Sequence, residues 1–229
     1  MILLLPFGSL LLGSFCMLPL SGGDPQSADL FDCSASVFEA PPSKPQPPDL
    51  VAVEAQMREA GIVRAAFHQN KKITALRRPL KSSGRFLFAP DKGIYWQTLA
   101  PIQNLFVLSP KGILQKSEDA EPVVIETKEQ PVIHGFIQIF MSLFGGDTSE
   151  LEQRFDLYFT GNADAWTIGL RPKGTVMKKL FDHILLCGGQ NIEQVLFLER
   201  SGDETRIIFE IDQEGPSQLT AQELANFQF

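Results

Sequence analysis

The chain has 229 residues, 44% of them hydrophobic and 21% charged, with 20 Lys and Arg against 27 Asp and Glu, a formal charge of −7. That apolar content supports a buried core and excludes a wholly disordered chain, and the want of a second long apolar run excludes a polytopic membrane protein. The acidic balance excludes a general nucleic-acid binder, whose affinity rests on Lys and Arg, and the aromatic content is 18 Phe against 2 Tyr and 2 Trp, almost all of it without a polar tip.

Residues 1–23 carry no charged side chain, and the run from Ile2 to Leu20 with a small-residue exit at Ser21-Gly22-Gly23 reads as an export signal peptide. A retained N-terminal anchor is the rival, because the segment is near the lower length limit for a span. A lipid-modified Cys16 is rejected because Phe15 directly before it is not small. Residues 24–48 hold six prolines and read as an extended linker, so the folded domain is expected over 49–229. An exported chain could join Cys33 to Cys187, but linker cysteines are rarely positioned for a bridge, and unpaired cysteines are the preferred reading.

Asp49 can cap a helix with Leu50, Val53 and Met57 on one face and Gly61 as its stop. Beyond it, prolines at 79, 90, 101, 110, 122 and 131 punctuate short β-rich runs at 62–69, 84–89, 93–99, 103–109 and 123–127, the rhythm of an antiparallel meander. Further strands are expected at 155–160, 165–171, 192–199 and 205–211, with a Ser-Gly-Asp-Glu hairpin turn before the last. Phe155, Leu157 and Phe159 alternate with Asp156 and Tyr158, and Trp166, Ile168 and Leu170 with Thr167 and Gly169. The segment 131–146 differs: Ile133, Phe136, Ile137, Phe140, Met141, Leu143 and Phe144 follow helical spacing, and His134, Gln138 and Ser142 form one polar stripe. At about 16 residues it is too short to span a bilayer. A core helix against the sheet and a helix across the mouth of a curved sheet read alike. The stretch 175–186 fits either helix or strand, and Thr220-Ala221-Gln222-Glu223 has capping-box form.

No G-x-S-x-G elbow, dinucleotide fingerprint, P-loop, C-x-x-C or H-E-x-x-H occurs, and His68, His134 and His183 lack metal-ligand spacing. The chain therefore reads as a non-enzyme, with no catalytic residue, metal or cofactor. Residues 50–116 carry a net charge of +8 and the remainder −15. The basic excess gathers at Lys71, Lys72, Arg77, Arg78, Lys81 and Arg85, which either solvate a sheet face and a turn or meet lipid headgroups or an acidic partner.

The runs Gly61–Gln69, Ser83–Phe88, Tyr95–Pro101 and Val107–Gly112, with Trp166–Pro172 and Gly202–Thr205 following, resemble in order and spacing the periplasmic outer-membrane lipoprotein carriers of the LolA type. The resemblance implies a mainly β (α+β) fold, an open, strongly curved antiparallel half-barrel closed by short helices. It further implies an apolar cavity that shelters the acyl chains of a lipoprotein or other lipid for transfer towards the outer membrane. A monomer is implied, working between an inner-membrane donor transporter and an outer-membrane acceptor. The cavity residues would be Phe67, Phe86, Phe88, Trp96, Phe106, Leu108, Phe155, Leu157, Phe159, Trp166, Ile168 and Leu170, and the lid Phe136, Ile137, Phe140, Met141 and Phe144. Where family carriers have an Arg-Pro pair whose arginine holds the lid, this chain reads Phe88-Ala89-Pro90-Asp91-Lys92, the mark of a divergent member. A non-transporting accessory or docking subunit of an envelope lipid or glycolipid export system is the alternative.

Overall fold

The computed structural model describes residues 33–44, 46–118, 120–126 and 131–229, of which 131–136 by backbone alone. The expected export signal and residues 24–32 of the expected linker lie outside the described residues. Proline and glycine punctuation produces two antiparallel meanders. The first comprises β1 (Val63–Lys72), β2 (Leu80–Ala89), β3 (Gly93–Ala100), β4 (Asn104–Ser109), β5 (Gly112–Ser117) and β6 (Val123–Glu126). The second comprises β7 (Phe155–Gly161), β8 (Trp166–Pro172), β9 (Phe181–Gly188), β10 (Ile192–Glu199) and β11 (Glu204–Ile211). They join where β1 pairs with β11, giving one open sheet in the order β6-β5-β4-β3-β2-β1-β11-β10-β9-β8-β7.

Helix α1 (Pro48–Ala60) starts at a proline, which suits the first helical position because the N–H it lacks would have no partner there. Asp49 therefore sits inside the first turn rather than capping the helix, and Gly61 ends it at a φ of 61° that a side chain would resist. The long apolar helix α2 (Pro131–Gly145) and the short α3 (Thr148–Arg154) follow β6. The ambiguous stretch contains both alternatives, a six-residue α4 (Thr175–Leu180) and then β9. Strand β5 has no counterpart in the sequence reading: its Gly-Ile-Leu-Gln-Lys-Ser run does not alternate cleanly, and pairing with β4 and β6 makes it a strand. The C-terminal α5 (Ala221–Asn226) has the expected capping box between Thr220 and Glu223.

Residues 33–44 correct the linker expectation for that part. A 3-10 turn, Ala35–Glu39, lays Val37 against Tyr158, Leu185 and Leu196 on the outer face of β7–β10. The Phe38 ring stands 5.0 Å from Tyr158 and 4.9 Å from His183, with the Arg171 guanidinium 4.4 Å away over its face. Gly169 makes the room, since a Cβ there would stand 2.6 Å from the Phe38 ring. Cys33 is disulfide-bonded to Cys187 and the Ser43 N–H donates to the Leu157 carbonyl, so the preference for unpaired cysteines is also corrected. Proline content predicts an extended path but not an unpacked one; the apolar pair Val37 and Phe38 decides the matter.

On the outer face of β2–β5, Phe227 packs against Leu87 and Val107. Arg64 of β1 holds this C-terminal segment, with Nε 2.7 Å and Nη2 2.9 Å from the Glu223 carboxylate and Nη1 2.6 Å from the Pro216 carbonyl. The Arg64 hydrogen bonds to its carboxylate, ahead of those from Thr220, hold the Glu223 carboxyl at about 2 against an ordinary 4.5. The stabilisation is complete above pH 4.5 and is lost as pH falls towards 2. Glu223→Gln is expected to lose about 2 kcal/mol at neutral pH and to show a shallower decline in acid than wild type, read from urea unfolding at stepped pH.

Candidate functional site

Antiparallel register decides which side chains share a face, because directly opposed residues point the same way. In the first meander Phe86 opposes Trp96, Trp96 opposes Phe106, and Phe88 and Leu108 both oppose Ile94. In the second, Leu157 opposes Leu170 and Phe159 opposes Ile168, while Phe155 and Trp166 continue the same alternation. Phe67 opposes Phe209 of β11, and pairs from Ile207 through Val195 and Leu186 to Ile168 carry that face across to β8. All twelve residues expected of an apolar cavity thus lie on one face of the sheet. Eleven are buried and Phe159 is half-buried. The face turns polar towards the β1–β2 loop, where Gln69 opposes Ser82 and Thr98 opposes Asn104.

Helix α2 packs against this face at β2 and β11. The Phe144 ring lies 4.6 Å from Phe86, 5.9 Å from Phe88 and 5.7 Å from Phe209, and Ile137, Phe140 and Leu143 are buried, with Met141 half-buried. The Phe136 side chain lies outside the described residues. Ser142 corrects the reading of a polar stripe: it is buried. A predominantly apolar helix has neighbours on several sides, and α1 and α3 supply them beside the sheet.

Polar contacts tie the C-terminal end of α2 to the rest of the protein. Gly146, at φ 65°, turns the chain so closely against α1 that a Cβ would stand 2.6 Å from the Glu54 carbonyl. Arg58 of α1 donates to the Gly146 carbonyl at 2.7 Å, and the Thr148 hydroxyl donates to the buried Glu54 carboxylate. Gln46 adds donor contacts to Thr148 at 2.7 Å and Glu152 at 3.1 Å. Sequence reasoning missed this cluster because its members lie about 90 to 106 residues apart and none belongs to a motif. The only available signal was the Glu54–Arg58 spacing on one helix face.

The six basic residues do not form one surface. Lys71 faces the covered side and is paired with Glu199 at 2.9 Å, Lys72 points the other way to Glu204 at 3.3 Å, and Arg85 lies mid-strand opposite Ala66 on the outer face. Arg77, Arg78 and Lys81 are exposed together in and beside the β1–β2 loop. Among the described residues no group of His, Cys, Asp or Glu could hold a metal ion, and no helix is long and apolar enough to cross a membrane.

An open antiparallel sheet with one continuous apolar face under short helices is the architecture of the lipoprotein-carrier class. The family model for the outer membrane lipoprotein carrier protein LolA matches residues 58–223, and the chain belongs to that family. Solved structures with similar folds include a LolA superfamily protein from Nitrosomonas europaea, at 6% identity over 74% of this chain and 96% of that one, with a TM-score of 0.41. An outer membrane lipoprotein-sorting protein domain from Vibrio parahaemolyticus matches at 10% identity over 78% of this chain and 94% of that one, with a TM-score of 0.41. The MucA/MucB complex structure from Pseudomonas aeruginosa matches at 12% identity over 76% of this chain and 61% of the matched one, with a TM-score of 0.40. No curated protein sequence matches significantly.

Proposed function

We propose that this protein is a periplasmic carrier that shelters the acyl chains of a lipoprotein or other lipid against the covered face of the sheet, for transfer towards the outer membrane. The observation that carries the reading is the run of apolar side chains on one face of the sheet against which Phe144 of α2 packs, in a helix with no Asp, Glu, Lys or Arg among its fifteen residues. An acyl chain gains roughly 25 cal/mol per Å² of buried apolar area there, and phenyl rings leave no polar group unsatisfied when a lipid tail displaces them. Exchange is reversible: α2 acts as a lid whose side chains hold the face until cargo replaces them, with no covalent step and no cofactor. An inner-membrane donor transporter and an outer-membrane acceptor would bracket the transfer, and the carrier would act as a monomer.

One observation favours the second reading, an accessory or docking subunit of an envelope export system: Phe144 and its neighbours already fill the face they cover. Mass spectrometry of organic extracts from protein purified without detergent separates the two, read beside displacement of a fluorescent fatty acid. The carrier reading expects a reproducible acylated species and saturable probe binding; absence of both overturns it.

A further inference from the structure

One end of the sheet gathers the loops β1–β2 (73–79), β3–β4 (101–103) and β10–β11 (200–203) with helix α4, because every strand in an antiparallel order returns its neighbour to the same rim. Contacts make three of these one surface: Thr74 donates from its N–H to Asp203 at 2.8 Å, and the Arg200 N–H donates to the Leu180 carbonyl at 3.0 Å. Exposed large apolar side chains concentrate here. Leu76, Leu80, Leu99, Ile102, Val176 and Leu180 are each between 39% and 71% exposed, Ile102 the most. An exposed isoleucine at the tip of a three-residue loop has no packing role.

Cations stand between these aliphatics: Arg77 and Arg78 beside Leu76, and Lys178 and Lys179 between Val176 and Leu180. Three carboxylates of the same rim are ion-paired, Asp182 by Arg200 at 3.0 Å, Glu199 by Lys71 and Glu204 by Lys72, and Asp203 accepts from Thr74. Arg77, Arg78, Lys178 and Lys179 form no ion pair among the described residues, so the rim presents net positive charge on an otherwise acidic chain. The β5–β6 loop, on the same rim beside the β3–β4 loop, carries the acidic Glu118 and Glu121 and bounds the patch towards the sheet edge.

We infer that this rim docks on an anionic phospholipid bilayer, with Ile102, Leu76, Val176 and Leu180 entering the headgroup layer and the four cations meeting lipid phosphates. Aliphatic tips interleaved with cations that form no ion pair among the described residues are what an anionic interface selects, and an acidic protein surface would not call for so many exposed aliphatics. The inference goes beyond the carrier reading, since docking needs no cargo.

The test is sedimentation of the full chain with vesicles of phosphatidylcholine alone or with 30 mol% phosphatidylglycerol, a mixture chosen from the general charge dependence of such binding. Stronger binding to the anionic vesicles is expected, falling at high salt. Arg77→Glu with Arg78→Glu, and separately Ile102→Asp, should each weaken it about tenfold or more, whereas Val51→Asp, an exposed apolar residue on α1, should leave it unchanged. Because the comparison runs between variants of the same full chain, residues 1–32 contribute equally to all. Equal binding to both vesicles, or rim variants indistinguishable from wild type, overturns docking, as does capture by an acidic protein with no vesicle binding. Fatty-acid probe binding by the same variants stays at the wild-type level, so failure here is separable from failure of the carrier reading.

Discussion

Replacing Cys33 by alanine is expected to lower the unfolding free energy by about 2–5 kcal/mol, a loss that reducing agent reproduces in the wild-type protein and not in the variant. The bond closes a loop with a sequence separation of 154 residues, and the entropy that such a cross-link removes from the unfolded chain grows with loop length. It also holds residues 33–44 over Tyr158, Leu185 and Leu196, which would otherwise present an apolar patch on the outer face. Equilibrium denaturation with and without reductant measures the difference. A free energy unchanged by both treatments would mean that Val37 and Phe38 alone hold the segment in place.

That segment shows where sequence reading reaches its limit. Most strand positions were legible because alternation has a period of two and most turns carry proline or glycine, so the alternating faces of 155–159 and 166–170 could be read within each strand, while the grouping of Phe86 with Trp96 came from the family resemblance and is matched by their register. The family resemblance was legible for the same reason, being made of strand and turn signals in fixed order. What covers the outer face was not legible. Val37 on Leu185, and Phe227 on Val107, are contacts between residues more than a hundred positions apart, and no local pattern encodes them. The contacts of Arg58 with Gly146 and of Thr148 with Glu54 were hidden likewise, because they join residues far apart in the chain that belong to no motif. Composition misled only where it was read as conformation, in the proline-rich stretch and in the polar stripe of α2, whose Ser142 is buried because three elements surround that helix.

The carrier reading makes its sharpest demand on two rings in contact, Phe86 of the sheet and Phe144 of α2, whose centroids are 4.6 Å apart. If cargo competes with α2 for the face, the closed state lowers apparent affinity by the fraction of molecules that are open. Phe144→Ala removes ring contacts with Phe86, Phe88 and Phe209 from the closed state alone. A large-to-small change of this kind costs about 3 kcal/mol or more, so the variant should bind a fluorescent fatty acid at least ~10-fold more tightly while unfolding at lower temperature. Arg58→Ala, which frees the Gly146 carbonyl at the end of α2, should act in the same direction by about threefold, since its side chain is half exposed and the contact correspondingly weaker. Phe86→Ser acts in the opposite direction, because Phe86 serves the closed state and the cargo alike and the hydroxyl adds a polar group to the face; affinity should fall about tenfold or more. Far-ultraviolet circular dichroism establishes that each variant is folded, and probe titration gives the affinities. Opposite signs from two touching rings identify α2 as the competitor of the cargo. A Phe144→Ala protein that binds the probe more weakly than wild type would instead make α2 a fixed part of the core, and acyl chains would have to lie elsewhere.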